Sequence, residues 1–301
     1  MAKICEDFYK SLGMPALPES FWKNSLFEEP TDRVSSCFAS AWDMCDRKDY
    51  RILVCGRPTM DDLFSFCHEI GHVQNFMAYK KQPCCYHKAP NDGMGEGWAD
   101  TASLSISSTE RLGRLGFLED PCNIDKEVEL NKLFYDAVLK VAFLPFGLIV
   151  DLWRWDLFEG NIRDDNWNSE WWNMRLKYQG VVPPEPRSEQ YLDPVSKSHI
   201  ISDDQYIMYF LAHLFQFQFH EALCITAGEF DPDDPNSKPL NQCDIYGSKA
   251  AGKKALDMLS MGLSKTWPNA LKKITGHREL SSDPILNYFK PLQLWLEEEN
   301  K

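Results

Sequence analysis

Two histidines four residues apart, in His68-Glu69-Ile70-Gly71-His72, constrain this chain more than any other feature, because both rings reach one ion only if the segment is helical. At that spacing residues stack on one helix face, and each imidazole offers a ring nitrogen to the same metal. A catalytic zinc takes three protein ligands and keeps a fourth position open for water. Glu96, in Gly95-Glu96-Gly97-Trp98-Ala99-Asp100, lies far enough downstream for a second helix and is the natural third ligand. Asp100, one turn further on, is placed to accept the other N–H of a ligand histidine and fix its tautomer. Glu69 sets a base beside the metal, so the group implies a hydrolase.

A five-residue motif recurs by chance in unrelated proteins, and its weight here comes from context. Thr59 and Asp62 form a capping-box pattern, and Leu63, Phe66, Cys67, Ile70 and Val73 follow at helical spacing until Pro83 forbids much continuation. Helical patterns occupy most of the chain, over 59–80, 95–107, 125–158, 168–178, 204–227, 248–262 and 282–298. Proline-bearing loops separate them, chiefly Pro183-Pro184-Glu185-Pro186 and the acidic Asp231-Pro232-Asp233-Asp234-Pro235. The best strand candidate, Arg51-Ile52-Leu53-Val54-Cys55, predicts one arm of a small hairpin near the metal helix. No internal repeat appears.

With 301 residues the chain is long enough for one large domain or two lobes, and a 44% hydrophobic content suits a folded core. A formal charge of -13 argues against nucleic acid or an anionic membrane as the main partner, since both demand clustered Lys and Arg. The longest apolar stretch, Val141 to Trp153, is interrupted by Pro145 and Asp151 and reads as a buried helix too short to span a bilayer; no membrane segment is expected. The first residues lack the apolar region of a signal peptide, and no Asn-x-Ser/Thr acceptor occurs. The ten cysteines point the other way. Cys37 with Cys55 and Cys224 with Cys243 bracket short loops that a disulfide would close in an oxidising compartment, and the other six are expected as unpaired buried thiols.

The chain resembles the angiotensin-converting enzyme family of zinc peptidyl-dipeptidases. Besides Cys67 to His72, the likeness runs through Ala39-Ser40-Ala41-Trp42-Asp43, Arg47 to Arg51, Ala142 to Gly147, Trp153-Arg154-Trp155, Leu176 to Gly180, Gln216 to Cys224, Cys243 to Tyr246 and Tyr288 to Pro291. The resemblance implies a mainly α fold with at most a small β-hairpin, one zinc ion on His68, His72 and Glu96, and Glu69 as general base. It further implies that Lys197 and Tyr206 clamp the C-terminal carboxylate of an oligopeptide, so that a dipeptide is released. His199 is implied to bond the substrate near the scissile bond, Tyr209 to stabilise the oxyanion, and the Ala39 backbone to line the substrate strand. Trp171 and Arg175 match one chloride pocket. An extracellular or secreted location also follows from the likeness.

Three departures accompany it. Phe38 stands where the family has a substrate-binding histidine, a loss of about 1 kcal/mol in transition-state binding. Met208 replaces the arginine of a second chloride pocket, so that anion site is expected to be absent. Residues 1–301 correspond to the C-terminal half of a two-lobed catalytic domain, with the lid half, part of the clamp and one cleft wall outside them. Helices that pack against that half are expected to expose apolar surface. Two other readings follow from the departures: a non-catalytic zinc-containing binding protein or fragment, and a broader endopeptidase with an opened cleft.

Overall fold

The computed structural model describes residues 1–118 and 125–301. Two short helices, α1 (Ala2–Ser11) and α2 (Glu19–Asn24), precede an antiparallel hairpin of β1 (Ser40–Asp43) and β2 (Tyr50–Leu53), with Ser40 opposite Leu53 and Asp43 opposite Tyr50. This is the expected hairpin, and it is the only sheet among the described residues. Next come α3 (Met60–Tyr79), α4 (Asp92–Ile106), α5 (Thr109–Arg114), α6 (Lys126–Lys140), α7 (Phe143–Phe158) and α8 (Trp167–Gln179). The short α9 (Ser198–Ile201) leads into α10 (Ile207–Ala227), α11 (Lys249–Leu259), α12 (Trp267–Thr275) and α13 (Asp283–Glu299). The fold is mainly helical, as the sequence predicts.

The start of α3 is the predicted cap, for Thr59 Oγ1 accepts the Asp62 N–H at 3.2 Å, and the apolar face from Leu63 to Val73 is buried. Gly71 explains how α4 comes so close. A Cβ at that position would lie 2.8 Å from Ala99 Cα and 2.7 Å from the Tyr9 hydroxyl, so only glycine lets the two helices touch along their backbones. Gly97 does the same on the other side of α4, where an added Cβ would meet Phe215 Cβ of α10 at 2.8 Å. The three helices stack in the order α3, α4, α10 at the centre of the main core. A second, smaller core gathers Ile149, Val150, Trp153, Ile162, Trp171 and Tyr206 around α7 and α8.

Three expectations need correction. The helix predicted over 125–158 is broken at Val141 and Ala142, because Pro145 is accommodated in the first turn of α7, where its missing N–H has no partner to lose. The helical stretch Lys126–Phe158 holds an 18-residue window of mean hydropathy 1.9, which meets the length and composition of a membrane span and no more than that. In the fold α7 packs against α8 and α10, and its buried Asp151 accepts the N–H groups of Tyr206 and Ile207 at 2.8 and 2.7 Å. The six leftover cysteines are not all buried thiols: Cys5 and Cys67 form a disulfide, Cys45, Cys84 and Cys85 are exposed, and Cys122 lies outside the described residues. Helices α1 and α12 escaped the sequence reading. In α1 the apolar spacing of Cys5, Phe8, Tyr9 and Leu12 was the available signal.

The pairs Cys37–Cys55 and Cys224–Cys243 are disulfides as expected, and the second flanks the acidic 231–235 loop. Apolar surface is also exposed. On α6 and just past it, Phe134, Tyr135, Val138, Leu139 and Val141 are all exposed, and Leu133 is the one buried residue of the helix.

Candidate active site

The spacing that demands a helix finds one. His68 and His72 project from one face of α3, their Nε2 atoms 3.1 Å apart, while Glu96 comes from α4 across the Gly71 contact. Its carboxylate stands 3.4 Å from His68 Nε2 and 3.6 Å from His72 Nε2, and the three ligand atoms all lie within 4.8 Å of one another. Two imidazole nitrogens and one carboxylate oxygen converge there, a donor set of the kind that could hold a zinc ion. One other group of metal-type donors occurs among the described residues, His220, Cys224 and Cys243, but its two sulfurs are joined to each other.

Asp100 accepts from His68 Nδ1 at 2.7 Å through Oδ1, which leaves Nε2 as the ring atom free for a ligand. Its Oδ2 accepts from Lys140 Nζ at 2.8 Å. Burial would raise the Asp100 carboxyl, but the Lys140 ammonium and the His68 bond hold it well below the usual range. Burial likewise opposes the shifts at His68 and Glu96: hydrogen bonds donated by the His68 ring to the Asp100 and Glu96 carboxylates carry the imidazole well above its ordinary value, and His68 keeps the Glu96 carboxyl low. His72 is pushed down to about 4 by burial and then by His68, so its ring is neutral at physiological pH.

Glu69 sits beside the ligands at 5% exposure. Burial pushes its carboxyl up to about 7, with Glu96 and Asp100 adding to the rise and His68 opposing it. A carboxylate poised there accepts and returns a proton with little driving force lost either way. Glu69, His68, Asp100, Lys140 and Ala39 all line a cavity of about 390 Å³. Phe38, next to Ala39, is 80% exposed.

A second group forms where α9 meets α10. His199 Nε2 is 3.1 Å from the Tyr209 hydroxyl, the His199 and Tyr206 rings stand edge to face at 5.0 Å, and the Lys197 ammonium lies 5.1 Å from the Tyr206 ring centroid. Burial raises the Tyr209 phenol strongly, and the charges of Glu96, Asp204 and Glu69 add to the rise. Burial takes Tyr206 up to about 12 and, with Lys197, pulls His199 down. Lys197, His199, Tyr206 and Tyr209 are not in the wall of the 390 Å³ cavity, so the structure assembles the predicted residues as two clusters.

The second cluster is held by residues that the motif reading passed over. Asp151 accepts the first N–H groups of α10 and pairs with Arg154, and Arg154 donates to the carbonyls of His199 and Asp204. A carboxylate and a guanidinium three residues apart inside an apolar run were a readable signal, because such charges are buried only when paired. Arg175 lies over Phe146, Trp171 and Trp172 at 5.3 to 5.9 Å, and its buried Nε has no partner among the described residues. Met208 brings no charge to the first turn of α10.

A family profile described as angiotensin-converting enzyme matches residues 1–301. Among curated relatives, angiotensin-converting enzyme of Mesocricetus auratus is 45% identical over 300 residues, which is 99% of this chain and 22% of the relative. The enzyme of the same name from Haematobia irritans exigua is 42% identical over 99% of this chain and 48% of its own length, and that of Theromyzon tessulatum 43% over 98% and 47%. The chain thus spans between about a fifth and a half of the relatives it matches.

Proposed function

Since this chain belongs to the angiotensin-converting enzyme family of peptidases, we propose that it is a zinc metallopeptidase that releases dipeptides from the free C-terminus of oligopeptides. The observation that carries this reading is the convergence of His68, His72 and Glu96, with Asp100 behind His68 and the raised Glu69 carboxyl beside them.

When bound, a zinc ion in this donor set acidifies a water ligand and polarises a carbonyl. His68, His72 and Glu96 would hold the ion, and Asp100, accepting from His68 Nδ1, would leave Nε2 as the nitrogen that faces it. Glu69 removes a proton from the attacking water and delivers it to the leaving amine, a pair of transfers suited to a carboxyl near 7. Tyr209 is a phenol held protonated by its surroundings, and it donates to the developing oxyanion with His199 at its hydroxyl. Lys197 and Tyr206 take the terminal carboxylate, and the Ala39 backbone runs along the substrate strand. Arg175 and Trp171 accommodate one chloride, supported by the orphaned Arg175 Nε. The disulfides support an extracellular or secreted setting.

The test uses a zinc-supplemented preparation of the chain, a short peptide with a free C-terminus, and its amidated twin. The proposal expects zinc-dependent release of a dipeptide from the free peptide and little from the amide. Equal cleavage of both removes the clamp from the account, and absence of cleavage favours the non-catalytic zinc protein.

A further inference from the structure

We propose that Lys140 is a positioning residue for the metal ligand His68, acting through Asp100. The inference rests on the metal site proposed above and extends it to a third helix. Asp100 on α4 makes two contacts, one from each oxygen: His68 Nδ1 at 2.7 Å and Lys140 Nζ at 2.8 Å. Lys140 is the last residue of α6, and its side chain and that of Asp100 are 23% and 22% exposed. The neighbouring acid of α6, Asp136, is engaged by Lys132 at 2.7 Å, so the Lys140 ammonium is directed at Asp100.

A carboxylate held through one oxygen still rocks about its Cβ–Cγ bond. Holding the second oxygen from another helix fixes its plane and aims the first at Nδ1. The ligand ring is thereby set from behind, with α3, α4 and α6 each contributing one member of the chain His68, Asp100, Lys140. Outer partners of this kind change metal affinity by about 10- to 100-fold when removed.

A simpler role would be plain charge, and it has the opposite sign. An ammonium near a cation repels it, so if Lys140 were only a nearby charge its removal would tighten metal binding. If it positions His68, its removal loosens binding.

Zinc affinity of the whole chain, measured by competition with a chromophoric chelator after the metal is stripped, separates the two without reference to turnover. Lys140→Met is expected to weaken zinc binding by about 10-fold, and Lys140→Arg to recover most of it. In the double variant Asp100→Asn/Lys140→Met, binding should be no weaker than in Asp100→Asn alone. Unchanged or tighter binding in Lys140→Met overturns the proposal, as does a full additive loss in the double variant. Should Lys140→Met fail to match the wild-type circular dichroism, Lys140→Gln takes its place, and unchanged affinity there overturns the proposal equally. Failure of the wild-type chain to bind one zinc would instead remove the metal reading beneath it.

Discussion

Glu69 is asked to be both buried and ionised, and the two demands conflict. At 5% exposure its carboxyl rises from 4.5 to about 7, which suits proton transfer but works against the fold. An acid whose pKa is higher folded than unfolded does not penalise folding below its unfolded value. Its penalty grows as pH rises through the interval and is complete above the folded value. At 1.36 kcal/mol per unit the full effect is about 3 kcal/mol. The metal-free Glu69→Gln variant is therefore expected to be more stable than the metal-free wild type by about 2 to 3 kcal/mol at pH 8 and equal to it at pH 4, as read by urea unfolding. Equal stabilities at pH 8 would mean that Glu69 is not strained by its site. The residues of this centre were legible because helical periodicity turns spacing into geometry, so His68, His72, Glu96 and Asp100 declare themselves. Lys140 does not, since it reaches Asp100 from a helix 40 residues away and only packing sets that register.

Among the elements, α10 depends on α7 for its beginning. The first N–H groups of a helix lack internal partners, and here Asp151 accepts two of them while pairing with Arg154, which in turn holds the carbonyls of His199 and Asp204. Asp151→Ala strips the cap and leaves Arg154 buried without its carboxylate. Breaking a buried pair in this way costs about 3 to 5 kcal/mol, and unfolding in denaturant should register a loss of that size. A change below about 1 kcal/mol would show that water replaces Asp151 without difficulty. The same stretch shows why some elements were readable and others were not. The apolar run reads as a helix, which the structure starts at Phe143 rather than Val141, and the Asp151 that interrupts it is the cap of a partner 55 residues on. Whether a proline ends a helix or begins one is decided by its turn, which is why Pro145 opens α7 where the sequence reading carried one helix straight through. Small helices such as α2, α5 and α9 have too few residues for a period to show.

For the molecule as a whole, the N-terminal helix is fastened to the metal helix. Cys5 of α1 is bonded to Cys67 of α3, the residue immediately before His68, and Tyr9 donates to the Cys67 carbonyl at 3.0 Å. Pairing of Cys5 with Cys67 could not be read from the sequence, because the two are 62 residues apart and nothing short of the packed fold selects Cys67 over the other cysteines. That separation matters energetically. A cross-link restricts the unfolded chain more as its loop lengthens, and a loop of this size corresponds to about 4 kcal/mol in the chain-entropy account. It also holds the His68 end of α3 against α1 at a point where both cysteines are fully buried. The Cys5→Ala/Cys67→Ala variant should therefore unfold with a stability lower by about 2 to 4 kcal/mol in guanidinium titration. A control changing the exposed Cys45, Cys84 and Cys85 to alanine should stay within about 0.5 kcal/mol of the wild type. Non-reducing peptide mapping must first find the Cys5 and Cys67 peptides joined. If they are joined and the double variant is as stable as the control, the tie does not contribute to holding the fold, and the packing of Phe8 and Tyr9 with the bonds of Asp7 and Ser11 to Tyr246 and Gly247 anchors α1.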